Sequence, residues 1–280
     1  GSYHFVSGDS VHSIIHGFDS IYHNVSQICF ETDMEQPSAT TAQQDKNQQD
    51  TQKRTMTKVD IFLPPDSTYA AIIGENKAAQ VDSAMKAIFP RYAPGMRPAY
   101  AKMIASLMLN MHMLGLKDAS QMQSFKPMDY YVYDMAKKDG KYIARLEDIS
   151  VQRDILTELA RKKAVQAPKD LKAEMLDLYN FCIEYGRAVE TADTIRSMYV
   201  SGQGKEMVAA ILSSQGADGL ATDDKNVEKR NRQWMEIIPT LMKNRSTLFI
   251  VGIAHLLPYK GTKGIIQSLI DKGYKVELVK

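Results

Sequence analysis

The sequence predicts an α/β fold: a mixed β-sheet built from strand–helix–strand units at the two ends of the chain, with a large helical lobe inserted between them. Three observations lead there. Residues 3–32 and 247–279 each read strand, helix, strand; residues 78–245 carry apolar side chains mainly at helical spacing; and both end units open on the pattern G-x-x-H. At 280 residues the chain can bury a self-sufficient core, as one large domain or two small ones.

Residues 3–6 are short and extended. Asp9 or Ser10 is placed to cap a helix whose apolar positions Val11, Ile14, Ile15, Phe18 and Ile21 recur at three- and four-residue spacing. Residues 26–32 follow as a β-rich run with Ile28 and Phe30 on one face. Over 35–58, Gln, Thr, Asp, Lys and Asn replace almost every apolar residue. So little apolar surface cannot offset the entropy of ordering, and a mobile surface insertion is expected there. Residues 59–63 resemble a short strand stopped by Pro64-Pro65.

The middle of the chain predicts helices at 78–89, 99–114 and 129–138, the last stopped by Gly140. A buried strand over 142–146 leads to Glu147, and helices are expected at 151–162, 169–186, 189–200, 205–212 and 224–244. The chain closes with a strand at 247–253 and a helix at 262–271 that carries Ile265, Ile266, Leu269 and Ile270 on one face. Gly273 stops that helix, and a strand is expected at 274–279.

Composition removes several classes of function. Lys and Arg number 35 against 33 Asp and Glu, a net charge of +2, which offers no footprint for nucleic acid or an anionic membrane. The longest uncharged apolar stretches, 103–116 and 247–259, are shorter than the ~20 residues that span a hydrocarbon core. The two cysteines, Cys29 and Cys182, lie far apart in apolar surroundings without CxxC spacing, and are expected as buried thiols.

The candidate chemistry sits at the ends of the strands. Gly1-Ser2-Tyr3-His4 and Gly252-Ile253-Ala254-His255 place a histidine at two equivalent strand-to-helix turns, and Glu31 ends the second predicted strand. Ligand sites in α/β sheets gather beyond the carboxyl ends of the strands. Two imidazoles and a carboxylate at one such edge suit either a divalent metal or acid/base chemistry. His12, His16 and His23 fall on a second face of the first helix among Ser13, Asp19, Ser20 and Asn24, which reads as a solvated face. His112, on an apolar helix, reads as a core histidine.

These motifs, in this order, resemble the TraB/GumN (pheromone-shutdown protein, Tiki) family. The resemblance rests on His4 in the first G-x-x-H, on Glu31, and on Val251-Gly252-Ile253-Ala254-His255-Leu256 near the C-terminus. It also rests on Met128-Asp129 opening a helix to Gly140-Lys141, on Leu146-Glu147 and Gln152, and on Glu228, Arg230-Asn231 and Trp234. It implies a Tiki-like fold related to the erythromycin esterases and a metal-dependent hydrolase, a peptidase acting on peptides or protein N-terminal segments.

On this reading His4, Glu31 and His255 hold a divalent ion, manganese or cobalt in preference to zinc, with Glu31 also catalytic. Glu147 is a fourth ligand or general base, Arg230 stabilises the oxyanion, and Asn231 orients substrate or a ligand histidine. The alternatives are a protein that sequesters a peptide without cleaving it and a small-ester hydrolase. The resemblance further implies an exported location, periplasmic or at the cell surface, with any lipid anchor upstream of Gly1.

Overall fold

A computed structural model describes residues 1–34, 61–168, 170–213, 224–258 and 263–279. The polar stretch 35–58 lies outside the described residues. The chain forms two compact units, one of Gly1–Met34, Met113–Thr157 and Thr191–Lys280, the other of Glu35–His112 and Glu158–Glu190.

In the first unit, three parallel strands, β1 (Gln27–Phe30), β2 (Tyr142–Arg145) and β3 (Thr247–Ile250), lie in the order β2-β1-β3. The central strand aligns Gln27 with Tyr142 on one side and with Thr247 on the other. Its four residues are all buried, as expected of a run flanked by strands at both edges and covered on both faces.

Alternation along β1 sorts the two cores. Ile28 and Phe30 face a cluster with α1 (Val11–Ile14), α2 (Phe18–Asn24) and α6 (Met128–Lys138), whereas Cys29 faces Trp234, Met235 and Ile238 on α10 (Asp224–Asn244) and Ile265 on α12 (Ile265–Asp271). Each large apolar side chain so enclosed contributes about 1.5–3 kcal/mol over exposure. Both cysteines are free and buried, and burial pushes the Cys29 thiol up to about 12.

The helices form where apolar spacing asks for them. On α6 the buried residues Met128, Asp129, Val132, Tyr133 and Ala136 make one face. Gly140 then takes a left-handed conformation (φ 64°) that lets the Lys141 amide reach the Ala136 carbonyl at 2.9 Å and turns the chain into β2.

The second unit contains α3 (Tyr69–Ile73), capped by Thr68, with α4 (Glu75–Ile88) and α5 (Pro98–Met113). Tyr69, Val81, Met85, Ala101, Ala105, Met175 and Leu178 share its core. The remaining helices are α7 (Ile149–Gln166), α8 (Leu171–Val200), α9 (Gly204–Ser213) and α11 (Ile253–Leu256).

Several expectations are corrected. Residues 3–6 are not a strand: the Val6 amide closes a turn on the Tyr3 carbonyl, and only Ser2 pairs, bridging Gly252 at the far edge of β3. The single helix expected from Asp9 or Ser10 is broken, because Ile15 is extended and Gly17 is left-handed (φ 71°), and neither Asp9 nor Ser10 caps it. The helices expected at 169–186 and 189–200 are one, since Gly186 sits within α8 without ending it. Of the strand expected at 59–63, Phe62 makes an isolated bridge to Met96 and residues 59–60 lie outside the described residues.

Residues 274–279 join no sheet. Tyr274, Val276, Leu278 and Val279 are all exposed, because alternation suits a strand but supplies no edge to pair with. The sheet of the described residues is therefore parallel rather than mixed.

Candidate functional site

Each strand delivers one residue to the same edge. Parallel pairing continues one step past β1 and β2, with the Glu147 amide donating to the Glu31 carbonyl at 2.9 Å, so the two glutamates leave the sheet side by side. Beyond β3, Gly252 turns the chain into α11, which carries His255. From the helix side, α10 brings Arg230, Asn231 and Trp234; positions 230 and 234 are one turn apart and share a face.

Arg230 is the hub. Its Nη2 donates to Glu31 Oε2 and to Glu147 Oε1, each at 2.7 Å, and its Nε donates to both Glu147 oxygens at 3.1 Å. Its Nη1 lies 3.1 Å from His255 Nε2. The guanidinium rests on the Trp234 ring (4.7 Å), and His255 stacks on the same indole with ring centres 4.3 Å apart. Trp234 Nε1 donates to Glu147 Oε2 at 2.9 Å. The Gly252 amide donates to Glu31 Oε1 at 2.6 Å, and Gln152 reaches Glu31 Oε2 at 3.3 Å.

Asn231 sets the histidine's tautomer. Its Nδ2 donates to the His255 and Lys263 carbonyls at 3.1 and 3.2 Å, which fixes the amide and leaves Oδ1, 2.7 Å from His255 Nδ1, as an acceptor. The proton therefore sits on Nδ1, and Nε2 keeps a bare lone pair that accepts from Arg230. A cavity of about 580 Å³ borders Asn231, lined also by Glu228, Arg232, Met235 and Lys263.

Electrostatics follow from burial and the hub. Burial drives His255 down to about 4, with the Arg230 charge adding to the effect and Glu31 opposing it. Burial alone would raise the Glu31 carboxyl, but the fields of His255 and Arg230 and the hydrogen bonds from Gly252 and Arg230 outweigh it and hold Glu31 below its ordinary value. Burial likewise disfavours the Arg230 charge, and its bonds to the two glutamates more than restore it. At rest Glu31 is ionised, Arg230 is a cation and His255 is a neutral imidazole.

Among the described residues, His4 makes no bond to this hub, and it is exposed. Its imidazole is 60% exposed, with Nδ1 3.5 Å from Asp129 Oδ2. Burial pushes the Asp129 carboxyl up; His4 and Ser2 oppose that, and the nearby Glu31 charge reinforces it. A model of the TraB/PrgY/gumN family matches residues 1–278. The chain belongs to that family. Among curated proteins and solved structures, none matches it.

In this TraB/PrgY/gumN chain, five of the residues singled out from the sequence meet: Glu31, Glu147, Arg230, Asn231 and His255. Sequence reasoning assigned no role to Trp234, Gln152, the Gly252 amide or Asp129. Two signals were available. Trp234 is the sole tryptophan and lies one turn from Arg230. Asp129 is a carboxylate on a helix face otherwise built from Val132, Tyr133 and Ala136.

The implied ion was tested against the donors present. Glu31 and His255 are suitable donors, yet both point at the Arg230 guanidinium, and His4 faces Asp129. Among the described residues, no three His, Cys, Asp or Glu side chains gather where they could hold a metal ion. The arrangement does not fit a His4–Glu31–His255 ion site.

Proposed function

We propose that this protein is a hydrolase that opens peptide bonds in peptides or protein N-terminal segments lying across the carboxyl edge of its sheet. One observation carries the reading: three strand ends and α10 converge on a single largely buried guanidinium, and Asp129, the carboxylate beside the exposed His4 imidazole, lies close enough to feel the Glu31 charge.

Arg230 is a cation held rigid before the substrate arrives, as oxyanion stabilisation requires, and Glu31, Glu147 and Trp234 keep it in place. His4, the exposed imidazole, takes the proton of the attacking water and returns it to the leaving amine, with Asp129 orienting the ring. His255 and Asn231 are buried behind the ion pairs and hold the neutral imidazole against Arg230. The net charge of +2 supports a peptide rather than a polyanion as partner.

The test is turnover of a peptide library and of small esters, with and without chelator and added manganese, cobalt or zinc. The wild type is compared with His4→Ala, Arg230→Lys and Glu31→Gln. Cleaved peptide, reduced about a hundredfold or more in His4→Ala, is the expected result. Stoichiometric peptide binding with no product in any condition overturns hydrolysis and favours sequestration. Turnover of esters alone moves the substrate class.

A further inference from the structure

Three groups of the kind that bind metals surround the Arg230 guanidinium, two on Nη2 and one on Nη1, and as they stand they do not form a group that could hold an ion. They are Glu31 Oε2, Glu147 Oε1 and the lone pair of His255 Nε2, and each is directed at the Arg230 guanidinium, at 2.7, 2.7 and 3.1 Å. The Asn231 contact that protonates Nδ1 is the outer-shell hydrogen bond that ordinarily prepares an imidazole for a metal. What meets these donors here is a side chain of the protein. Arg230 is fastened into the position by the Trp234 stack beneath it and by Trp234's own bond to Glu147.

We propose that Arg230 is the resident cation of this site, occupying the place among Glu31, Glu147 and His255 that a divalent ion would otherwise take. Ion and guanidinium are then mutually exclusive occupants. Charge supports the exclusion: a divalent ion entering beside Arg230 would add two positive charges to a pocket whose two carboxylates already share one, and would face the guanidinium at contact distance. Removing the side chain to Cβ takes away the guanidinium that Glu31, Glu147 and His255 share, while Glu31 keeps its bonds from Gly252 and Gln152 and Glu147 its bond from Trp234, and leaves the three free to draw in around an ion in its place. The inference concerns the resting protein and does not depend on turnover.

The experiment measures ion binding without substrate. Wild type, Arg230→Lys and Arg230→Ala, each stripped by chelator, are titrated with cobalt(II) and zinc(II). Cobalt absorption, calorimetry and the ion-dependent shift in melting temperature are the readouts. The expected result is no stoichiometric binding by wild type or Arg230→Lys. Arg230→Ala should take up one ion per chain with tetrahedral cobalt bands, and its melting temperature should rise with ion concentration.

Should Arg230→Ala unfold when stripped, recovery of its circular dichroism on adding the ion supports the proposal, and failure to recover overturns it. A folded Arg230→Ala that binds no ion overturns it too. So does one equivalent of ion bound by wild type and lost in Glu31→Gln. Binding by wild type that survives Glu31→Gln lies elsewhere on the protein, and the Arg230→Ala titration then decides. A wild type that cleaves no peptide would sink the hydrolase reading while leaving these outcomes intact.

Discussion

Acidification from about pH 7 to about pH 5 is expected to cost the wild-type protein about 2 kcal/mol more stability than a His255→Gln variant. The ordinary value for His255 is 6.5, and burial against Trp234 and Arg230 lowers it to about 4. Between those values the unfolded chain binds a proton that the folded chain refuses, so stability is whole above 6.5 and falls with pH through the window. It stops falling on this account below about 4. Each unit is worth about 1.4 kcal/mol, and the 1.5 units from 6.5 to pH 5 give about 2 kcal/mol. The window lies above the range in which Glu31 titrates, whose lowered value removes stability only at greater acidity, below its ordinary 4.5.

Urea unfolding at the two pH values, followed by the fluorescence of the sole tryptophan, measures the difference directly. Equal losses in the two proteins, within about 0.5 kcal/mol, would refute the claim that His255 is buried neutral with its lone pair on Arg230.

Asn231→Leu strands the His255 and Lys263 carbonyls and the imidazole N–H; a loss of about 3 kcal/mol in urea unfolding is expected, and a loss under about 1 kcal/mol would contradict the tautomer assignment. Trp234→Phe keeps a ring under Arg230 but removes the donor to Glu147, so circular dichroism melts should register about 1–2 kcal/mol, and an unchanged melt would argue against that bond. Gly252→Ala would place a Cβ 3.2 Å from Glu31 Oε1; turnover is expected to fall tenfold or more while stability changes by about 1 kcal/mol, and normal turnover would show that the Gly252–Glu31 approach is dispensable.

Much of the site was legible in the residues. Strands that run the same way end at one edge, so Glu31 and His255, each at the end of a predicted strand, were expected to share a neighbourhood, whereas Glu147, Arg230 and Asn231 were reached through the family resemblance. That argument fails for His4, whose expected strand is a turn with Ser2 alone paired, and which ends up facing Asp129. Asp129 was hidden inside a helix reading, because apolar periodicity ranks positions by burial and says nothing of which buried position carries a charge. The breaks at Ile15 and Gly17, and the continuity through Gly186, reflect contacts with neighbours rather than local propensity.

From its residues alone the chain determined its class and much of its layout: an α/β core, helices at the right places through most of the middle, two buried thiols, and Glu31 and His255 at strand ends. Periodicity and strand-end position are local properties, and local order suffices to read them. Tertiary structure alone decided what those side chains say to one another. Arg230 lies 199 residues from Glu31 and 83 from Glu147, and whether such donors meet an ion, a solvent molecule or a guanidinium is a matter of ångströms in the folded chain.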